Sequence, residues 1–353
     1  MTIDKTLTSD QKELVEQVQF NCDISDANHA GDYTLCIYLL KMREYYRWIH
    51  SLDFDDQFDA DKMAQWLRAK EQAWDEVADE PFRPIRLNGD EFPPFETRAI
   101  NDRLFEQGLF YHAGIGQKAV SHFFVAELAE QSVEDNVRIS ITGREYARDL
   151  TAPPALSTAD EIIVRQESLQ RMCWERYQEW NWSRLDNPMG TALSYYPFDD
   201  DVPQALAQMV ATEQQTLVQH EKGEMQISRE YGQQWPEMML NLLGTRAELL
   251  ARSVRDHLAD CLHTLPFLAR QENPAAIHFY FANLTYMRRE LFPSAMQAYR
   301  DWTGHSDPRP LIELAARAAD HWRDTLTSIL EIHRRNTENR GAEIVALVEN
   351  TRY

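Results

Sequence analysis

The stretch Cys22–His50 reads CDISDANHAGDYTLCIYLLKMREYYRWIH, and the rest of the chain is organised around it. An entry loop is followed by a run that starts at Asp32 and contains neither Gly nor Pro. In that run Ile37 and Leu40 recur at helical spacing, and Glu44 falls in line with them. The spacing predicts a helix that is buried over most of its circumference and that carries the Glu44 carboxylate toward the interior.

The other segments of the first half alternate between helical and strand-like patterns. Apolar residues recur at helical spacing in residues 8–20, 61–77 and 97–107, so three further helices are expected. Between residues 109 and 145 the hydrophobic period changes from helical to alternating, which predicts a small antiparallel sheet. Two of its strands are SHFFVAEL (121–128) and NVRISITGRE (136–145), and LFYHAGIG (109–116) is either a third strand or a passage from strand to loop.

A break follows at TAPPALST (151–158), and helical patterns cover the chain after it. Helices are expected at about 159–182, 202–222, 235–264, 274–300 and 308–349. The predicted fold class is therefore α+β and mainly α-helical. An N-terminal α+β unit (1–152) with a small antiparallel sheet packs against a C-terminal all-helical unit (153–353).

The composition excludes several classes of protein. The chain has 353 residues, 43% of them hydrophobic, and a formal net charge of −21, so it has a sizeable core and repels nucleic acid and anionic membranes. It contains no run of about eighteen apolar residues, and its first residues lack the pattern of a secretory signal. The four cysteines form no CxxC pair, which excludes a conventional zinc finger or disulfide framework. We therefore expect a soluble, acidic, cytoplasmic protein.

The first candidate site lies in the opening stretch. His29 near the carboxylates of Asp32 and Glu44 suits acid–base catalysis, because a carboxylate orients an imidazole and raises its basicity. Arg43 offers a bidentate guanidinium for a substrate carboxylate or phosphate. A purely structural interpretation is also open, in which these groups cap the helix or form ion pairs with other elements. Their spacing matches no specific catalytic motif.

Three more residues are predicted to bind substrate, namely His112, Arg144 and Arg148. His112 precedes the two glycines of HAGIGQK (112–118), a loop whose amides could approach a phosphate, although its spacing is not that of a P-loop. A sharp bend between strands explains those glycines equally well. Arg144 and Arg148 follow a predicted strand, where charged residues either line a pocket or pair within a salt-bridged loop.

An alternative candidate is a metal site in the helical half. Its proposed ligands are Glu213, His220, Asp260 and His263, which lie on two helical stripes of carboxylate and imidazole groups. In helical bundles that bind two iron or manganese ions, such groups converge from several helices. The Glu-x-x-His pairs of ferritin-like proteins are absent, and acidic stripes also arise on solvated faces. The first stripe consists of Glu213, His220 and Glu224, and the second of Asp256, Asp260 and His263. Gly223 lies within the first stripe, and a glycine there weakens a helix.

Two passages, CDISDANHAGDYTLCIYLLKMREYYRW and the YHAGIGQ…HFFVAEL run, resemble a family of uncharacterised bacterial proteins that is known only as a domain of unknown function. The resemblance covers mainly the N-terminal half. It implies a bacterial, cytoplasmic protein and transfers no activity, so the chemistry has to be inferred from the residues.

Three functions remain open at this point. The leading one is an enzyme or a specific binder of a small anionic metabolite, with its site at the interface of the two halves. The second is the bundle metalloprotein, and the third is a noncatalytic interaction or assembly protein whose acidic surface meets a basic partner. The sequence identifies neither a cofactor nor an oligomeric state.

Overall fold

A computed structural model describes residues 7–116, 119–271, 273–305, 307–335 and 337–353. The chain divides into two compact units, each built from several segments. The N-terminal unit consists of Met1–Ser132, Ser140–Pro154 and Arg165–Met172, and the C-terminal unit consists of Val133–Ile139, Ala155–Val164 and Cys173–Tyr353. The chain is 65% helical and contains a small antiparallel sheet, which confirms the predicted fold class.

The first helix of the N-terminal unit, α1 (Ser9–His29), is longer than the sequence predicts. A capping box between Thr8 and Gln11 satisfies backbone groups at its start. No Gly or Pro interrupts the chain before Gly31, so the helix continues through the expected entry loop. A 3₁₀ turn at Ala30–Asp32 follows, and it places Asp32 outside the next helix. The other helices of this unit are α2 (Leu35–Ile49), α3 (Ala60–Val77) and α4 (Thr97–Leu104).

Helix α2 is buried on one side of its C-terminal half. Ile37 and Leu40 are 48% and 50% exposed, so the prediction of a helix buried over most of its circumference is wrong. Met42 and Tyr45 are buried, and Glu44 lies in the interior as predicted. The apolar spacing at the start of α2 therefore continues onto a surface that faces solvent.

The described residues form two sheets. Strands β1 (Ile85–Leu87) and β2 (Asp90–Phe92) form an antiparallel hairpin. Its turn at Asn88 and Gly89 has the left-handed backbone that this dipeptide favours. The strands of the second sheet are β3 (Leu109–Ile115), β4 (Ser121–Glu134), β5 (Val137–Arg148), β6 (Ala155–Ser157) and β7 (Glu161–Arg165). Their order in the sheet is β3-β4-β5-β7-β6.

Strand β7 corrects one expectation from the sequence, which predicts helix from residue 159. Ile162, Ile163 and Val164 are completely buried. A short run of β-branched residues that is buried on both faces suits an interior strand better than a helical turn. Helix α5 (Gln166–Ser183) begins only after this strand.

The C-terminal unit is built mainly from helices, most of them short. None of the helices that the structure describes is long and apolar enough to cross a membrane. A π-helical turn at Asp260–Thr264 joins α9 (Arg246–Ala259) to α10 (Leu265–Arg270). The helices are α6 (Pro188–Leu193), α7 (Val202–Tyr231), α8 (Gln234–Asn241), α9 (Arg246–Ala259), α10 (Leu265–Arg270), α11 (Pro274–Asn283), α12 (Tyr286–Leu291), α13 (Pro293–His305), α14 (Arg309–Arg335) and α15 (Arg340–Asn350).

Helix α7 runs without a break through Gly223, so this glycine does not interrupt the stripe of ionisable residues. A Cβ at this position would lie 2.6 Å from the carbonyl oxygen and 2.7 Å from the Cα of Ala259 on α9. Backbone atoms cannot give way as a flexible side chain can, so the absence of a side chain lets the two helices pack this closely. The contact brings the turn of α7 that carries His220 and Glu224 next to the end of α9.

We expect the substitution Gly223→Ala to lower the free energy of unfolding by about 1–3 kcal/mol, because overpacking would push α7 away from α9. This loss outweighs the gain of up to about 1 kcal/mol that alanine brings to a helix. Gly304 on α13 is a matched control, since a Cβ added there meets nothing within 4 Å. Gly304→Ala should be neutral or slightly stabilising. Urea denaturation measures both variants, and equal stabilities would contradict the close packing at Gly223.

Candidate functional site

A cluster of ionisable side chains lies where α7 meets the end of α9 in the C-terminal unit. His220 and Glu224 are one turn apart on α7, Asp256 is on α9, and Asp260 begins the π-helical turn. His220 Nδ1 lies 2.8 Å from Asp260 Oδ1, and His220 Nε2 lies 3.6 Å from Glu224 Oε1. One possible ligand atom from each of His220, Glu224 and Asp256 lies within 4.8 Å of the others. These four residues are hereafter the His220 cluster.

The backbone beside the cluster departs from α-helical geometry. The π-helical turn at Asp260–Thr264 adds one residue to a helical turn, and such turns occur frequently at functional sites. Pro266 follows within α10 and has no amide hydrogen for an α-helical bond to the residue four positions earlier. The sequence therefore supplies a local reason for the irregular turn, which changes the direction in which side chains point on its two sides.

Three further side chains hold the carboxylates of the cluster. The hydroxyl of Tyr280 on α11 donates a hydrogen bond of 2.7 Å to Asp260 Oδ2, and Arg288 on α12 forms an ion pair with the same oxygen. Arg255 on α9 forms an ion pair with Glu224 Oε2. Charge-assisted contacts of this kind fix the orientation of a carboxylate. They leave Glu224 Oε1 directed toward His220.

Asp256 is the member of the cluster without a fixed partner. Within the described ranges its carboxylate takes part in no hydrogen bond and no ion pair. Burial raises the pKa of this carboxyl group. Glu221, beside His220 on α7, is buried, and its Oε2 atom has no hydrogen-bond partner in the described part of the chain. Asp256 is only partly buried, and a cation between it and His220 would supply the partner that its carboxylate does not have among the described residues.

The charges of the cluster are strongly coupled. Burial opposes ionisation of Asp260, but Arg288 and His220 hold its pKa well below the usual range. Burial also opposes ionisation of Glu224, and Arg255 together with His220 lowers the pKa of that carboxyl group. Burial disfavours the charged imidazole of His220, yet Asp260 and Glu224 raise its pKa well above the usual value. Without a bound cation, the carboxylates are thus balanced by two guanidinium groups and a protonated imidazole.

Of the four residues that the sequence proposes as metal ligands, the structure brings His220 and Asp260 together. Glu213 lies about two turns before His220 on α7, and burial raises the pKa of its carboxyl group well above the usual value. His263 Nε2 lies 2.8 Å from Gln226 Oε1. Among residues with a described position, neither Glu213 nor His263 forms a hydrogen bond or ion pair with the His220 cluster.

The residues proposed for catalysis in the opening stretch form two separate sets of contacts. His29 Nδ1 lies 3.4 Å from Asp32 Oδ2, and the two side chains are 34% and 52% exposed. Glu44 Oε1 accepts a hydrogen bond of 2.8 Å from Arg43 Nε, and Glu44 Oε2 accepts one of 3.1 Å from Arg47 Nε. A buried carboxylate with a guanidinium on each oxygen has the surroundings of a structural ion pair.

His112 lies in the interior of the N-terminal unit, where its ring stacks on His122 with 5.3 Å between the ring centres. Gly114 is part of β3 and pairs with His122 across the sheet. A Cβ at Gly114 would come within 2.9 Å of His112 Nε2, so this glycine makes room for the two imidazoles. Gln117 and Lys118, which the sequence places in a phosphate-binding loop, lie outside the described residues.

Arg144 and Arg148, near the end of β5, have different surroundings. Arg144 is exposed, whereas Arg148 is buried and forms an ion pair of 3.5 Å with Glu145. Glu145 also accepts hydrogen bonds of 2.8 Å from Arg165 Nε and from Ser168 Oγ. For Arg148 this buried network corresponds to the salt-bridged arrangement that the sequence leaves open beside a role in substrate binding.

The buried histidine pair has a consequence for acid stability. Burial, with smaller contributions from His122 and Arg165, lowers the pKa of His112 to about 3. An unfolded histidine takes up its proton at about pH 6.5, so below that pH the unfolded state binds the additional proton and stability falls. The contribution of the neutral His112 imidazole to stability is complete above pH 6.5, and it is lost progressively as the pH decreases toward the pKa of His112 in the folded state.

We therefore expect His112→Phe, which keeps an aromatic ring in the stack, to flatten the pH dependence of stability between pH 6.5 and 5. The difference from the original protein should amount to about 1–2 kcal/mol across this window, because one proton contributes at most about 1.4 kcal/mol per pH unit. Urea titrations at several pH values measure it. Parallel pH profiles for the two proteins would show that His112 is not kept neutral by the fold.

The helical spacing in the sequence identifies the two stripes of the His220 cluster, but it does not identify the side chains that bind the carboxylates of Asp260 and Glu224. Glu224 and Asp256 lie one helical turn from His220 and Asp260, so spacing was sufficient to select them. No comparable signal marks Tyr280, because its approach depends on how α11 folds back toward the π-helical turn.

Two family models together match nearly the whole chain. Residues 13–165 match the N-terminal domain and residues 170–351 match the C-terminal domain of a family of unknown function (DUF6866). The second match alone covers more than half of the chain, and the protein belongs to this family. The resemblance seen in the first half is confirmed and extends through the helical half, whereas a bacterial origin stays a prediction. No curated protein and no solved structure matches the chain.

Proposed function

Because membership of this family carries no known activity, we propose from the geometry that the His220 cluster binds one divalent transition-metal ion. His220 Nε2, one oxygen of Glu224 and one oxygen of Asp256 would be the ligands. The observation that carries the proposal is the approach of these three donors to within 4.8 Å of one another from two helices. A single ion is proposed because this is the one such group found in the described part of the chain.

The distances suit an ion with small adjustments. Ligand atoms lie about 2.1 Å from such a metal, so two neighbouring ligands are about 3 Å apart and two opposite ligands about 4.2 Å apart. The 3.6 Å between His220 Nε2 and Glu224 Oε1 falls between these values. Because the three donors lie within 4.8 Å of one another, rotations of the Glu224 and Asp256 side chains would bring them onto one ion.

The surrounding contacts support the same assignment. Metal-binding histidines usually donate the second ring N–H to a carboxylate, which fixes the tautomer and the orientation of the ring. Asp260 occupies that position at 2.8 Å from His220 Nδ1. Tyr280 and Arg288 hold Asp260 in turn. The orienting groups of a metal site are therefore in place around the imidazole.

The donor set indicates which ions and which chemistry to expect. One imidazole and two carboxylates suit Mn²⁺, Fe²⁺ or Zn²⁺ better than Ca²⁺ or Mg²⁺, which prefer oxygen ligands alone. The carboxylates of Glu224 and Asp256 carry two negative charges toward a divalent ion, while Arg255 stays paired with the second oxygen of Glu224 and Arg288 with Asp260. Three protein ligands leave coordination positions for water or substrate, as in catalytic sites, where a bound ion polarises oxygen atoms and activates water.

The predicted acid–base role of His29, Asp32 and Glu44 is not part of this proposal. Glu44 is already bound by Arg43 and Arg47, and His29 and Asp32 are partly exposed. Among the described residues they do not form a group of three possible metal ligands, as His220, Glu224 and Asp256 do.

The proposal predicts that protein purified without a metal-affinity tag and stripped with a chelator will bind one equivalent of Mn²⁺ or Zn²⁺ in isothermal titration calorimetry. Asp256→Asn and Glu224→Gln should each weaken binding at least about tenfold, because each removes one anionic ligand. Asp256→Asn is the more informative variant, since Asp256 forms no ion pair with a described residue that the substitution could remove.

Two matched controls lie on the same stripes. Glu213→Gln removes a carboxylate from α7, and His263→Gln removes an imidazole from the π-helical turn, without touching the three proposed ligands. Both controls should bind the ion as tightly as the original protein. A chain that binds no ion, or an Asp256→Asn variant with unchanged affinity, would contradict the proposal.

A further inference from the structure

A cleft of about 370 Å³ lies between the ends of three helices in the C-terminal unit. It is separate in sequence and composition from the His220 cluster. Its lining comes from α8, from the last turns of α14 and from the start of α15. Three of the lining residues have basic side chains, namely His333, Arg334 and Arg340.

The charge of the cleft is opposite to that of the chain. The protein carries a formal net charge of −21, yet two arginines line this cleft against one carboxylate, Glu237, and a histidine lies beside them. Arg334 is also paired at 4.0 Å with Glu331, which does not line the cleft. Such a local excess of guanidinium groups attracts anions at short range, against the repulsion from the negative charge of the rest of the chain. A basic partner is therefore excluded here, and an anion is favoured.

His333 adds an unsatisfied polar atom. Its Nε2 atom is buried and has no hydrogen-bond partner in the described ranges. Burial and the nearby Arg340 lower the pKa of this imidazole, whereas Glu237 acts in the opposite sense. An anion beside Arg340 would reverse the effect of that guanidinium and accept a hydrogen bond from the ring.

Neutral hydrogen-bond donors complete the lining. The Gln234 side chain is exposed and makes no hydrogen bond to a described residue, and Asn241 uses one amide hydrogen on the carbonyl oxygen of Glu237 at 2.8 Å. The cleft also lies at the start of α15, whose N-cap residue Asn339 makes no side-chain hydrogen bond. The amides at a helix N-terminus favour a negative charge, so they act in the same direction as the arginines.

We infer that this cleft binds the phosphate group of a small phosphorylated molecule through Arg334, Arg340 and His333. A phosphate dianion has enough acceptor oxygens for two guanidinium groups and an imidazole at once. The volume exceeds that of phosphate alone, which leaves room for a small organic part beside Leu330. The inference does not depend on the metal site.

Basic residues at the end of α14 also have a purely structural explanation, because cations stabilise a helix C-terminus. Arg335 separates the two explanations. It belongs to the same last turn as His333 and Arg334, but it does not line the cleft. An effect of helix-end charge would be shared by Arg334 and Arg335, whereas a binding site requires Arg334 alone.

The experiment is a titration with inorganic phosphate, followed by calorimetry and by the ³¹P signal in NMR. Saturable binding to one site is expected, and Arg334→Gln and Arg340→Gln should each weaken it at least about tenfold, since each removes a bidentate donor. Arg335→Gln should leave the affinity unchanged. Absence of saturable binding, or equal losses in Arg334→Gln and Arg335→Gln, would overturn the inference.

A second titration separates phosphate binding in the cleft from phosphate binding to a metal ion. Phosphate also binds to metal ions, so the titration is repeated on the Asp256→Asn variant after treatment with a chelator. Binding should persist there with the same affinity. Loss of phosphate binding in Asp256→Asn would show that the anion was held at the His220 cluster and not at the cleft.

Discussion

The close approach of α7 and α9 at Gly223 is the constraint on which the C-terminal site depends. With no side chain at Gly223, the backbone of α7 can pack against the backbone of Ala259. His220 and Glu224 lie on the two sides of this contact along α7, and Asp260 directly follows Ala259. A larger separation of the helices would remove the 2.8 Å contact between His220 and Asp260. The position of one glycine therefore sets the geometry of the cluster.

Both units contain buried charges, but they use them differently. In the N-terminal unit Glu145 is bound by Arg148, Arg165 and Ser168, and several contacts to one buried carboxylate fix the position of chain segments. In the C-terminal unit Asp256 is left with no hydrogen-bond or ion-pair partner within the described ranges. It lies instead beside two other possible ligands, His220 and Glu224, which is the arrangement that a cation site requires. This contrast distinguishes a structural network from a candidate binding site.

The sequence predicted the fold class and the helical stripes because both follow from periodicity. It predicted an interior position for Glu44 correctly, but it also predicted burial for Ile37, which is exposed, because periodicity identifies an apolar side without showing what covers it. The π-helical turn after Ala259 and the hydrogen bond from Tyr280 depend on tertiary packing, so no local sequence pattern predicts them. Gly223 suggested a helix break and proved to be a packing position.

The metal site is tested most directly by a crystal structure of the protein soaked in manganese chloride, with anomalous data collected for Mn²⁺. We expect one strong anomalous peak about 2.2 Å from His220 Nε2 and from one oxygen each of Glu224 and Asp256. Asp260 should still accept the hydrogen bond from His220 Nδ1. The absence of a peak at this cluster, or a peak only at other carboxylates, would contradict the central claim.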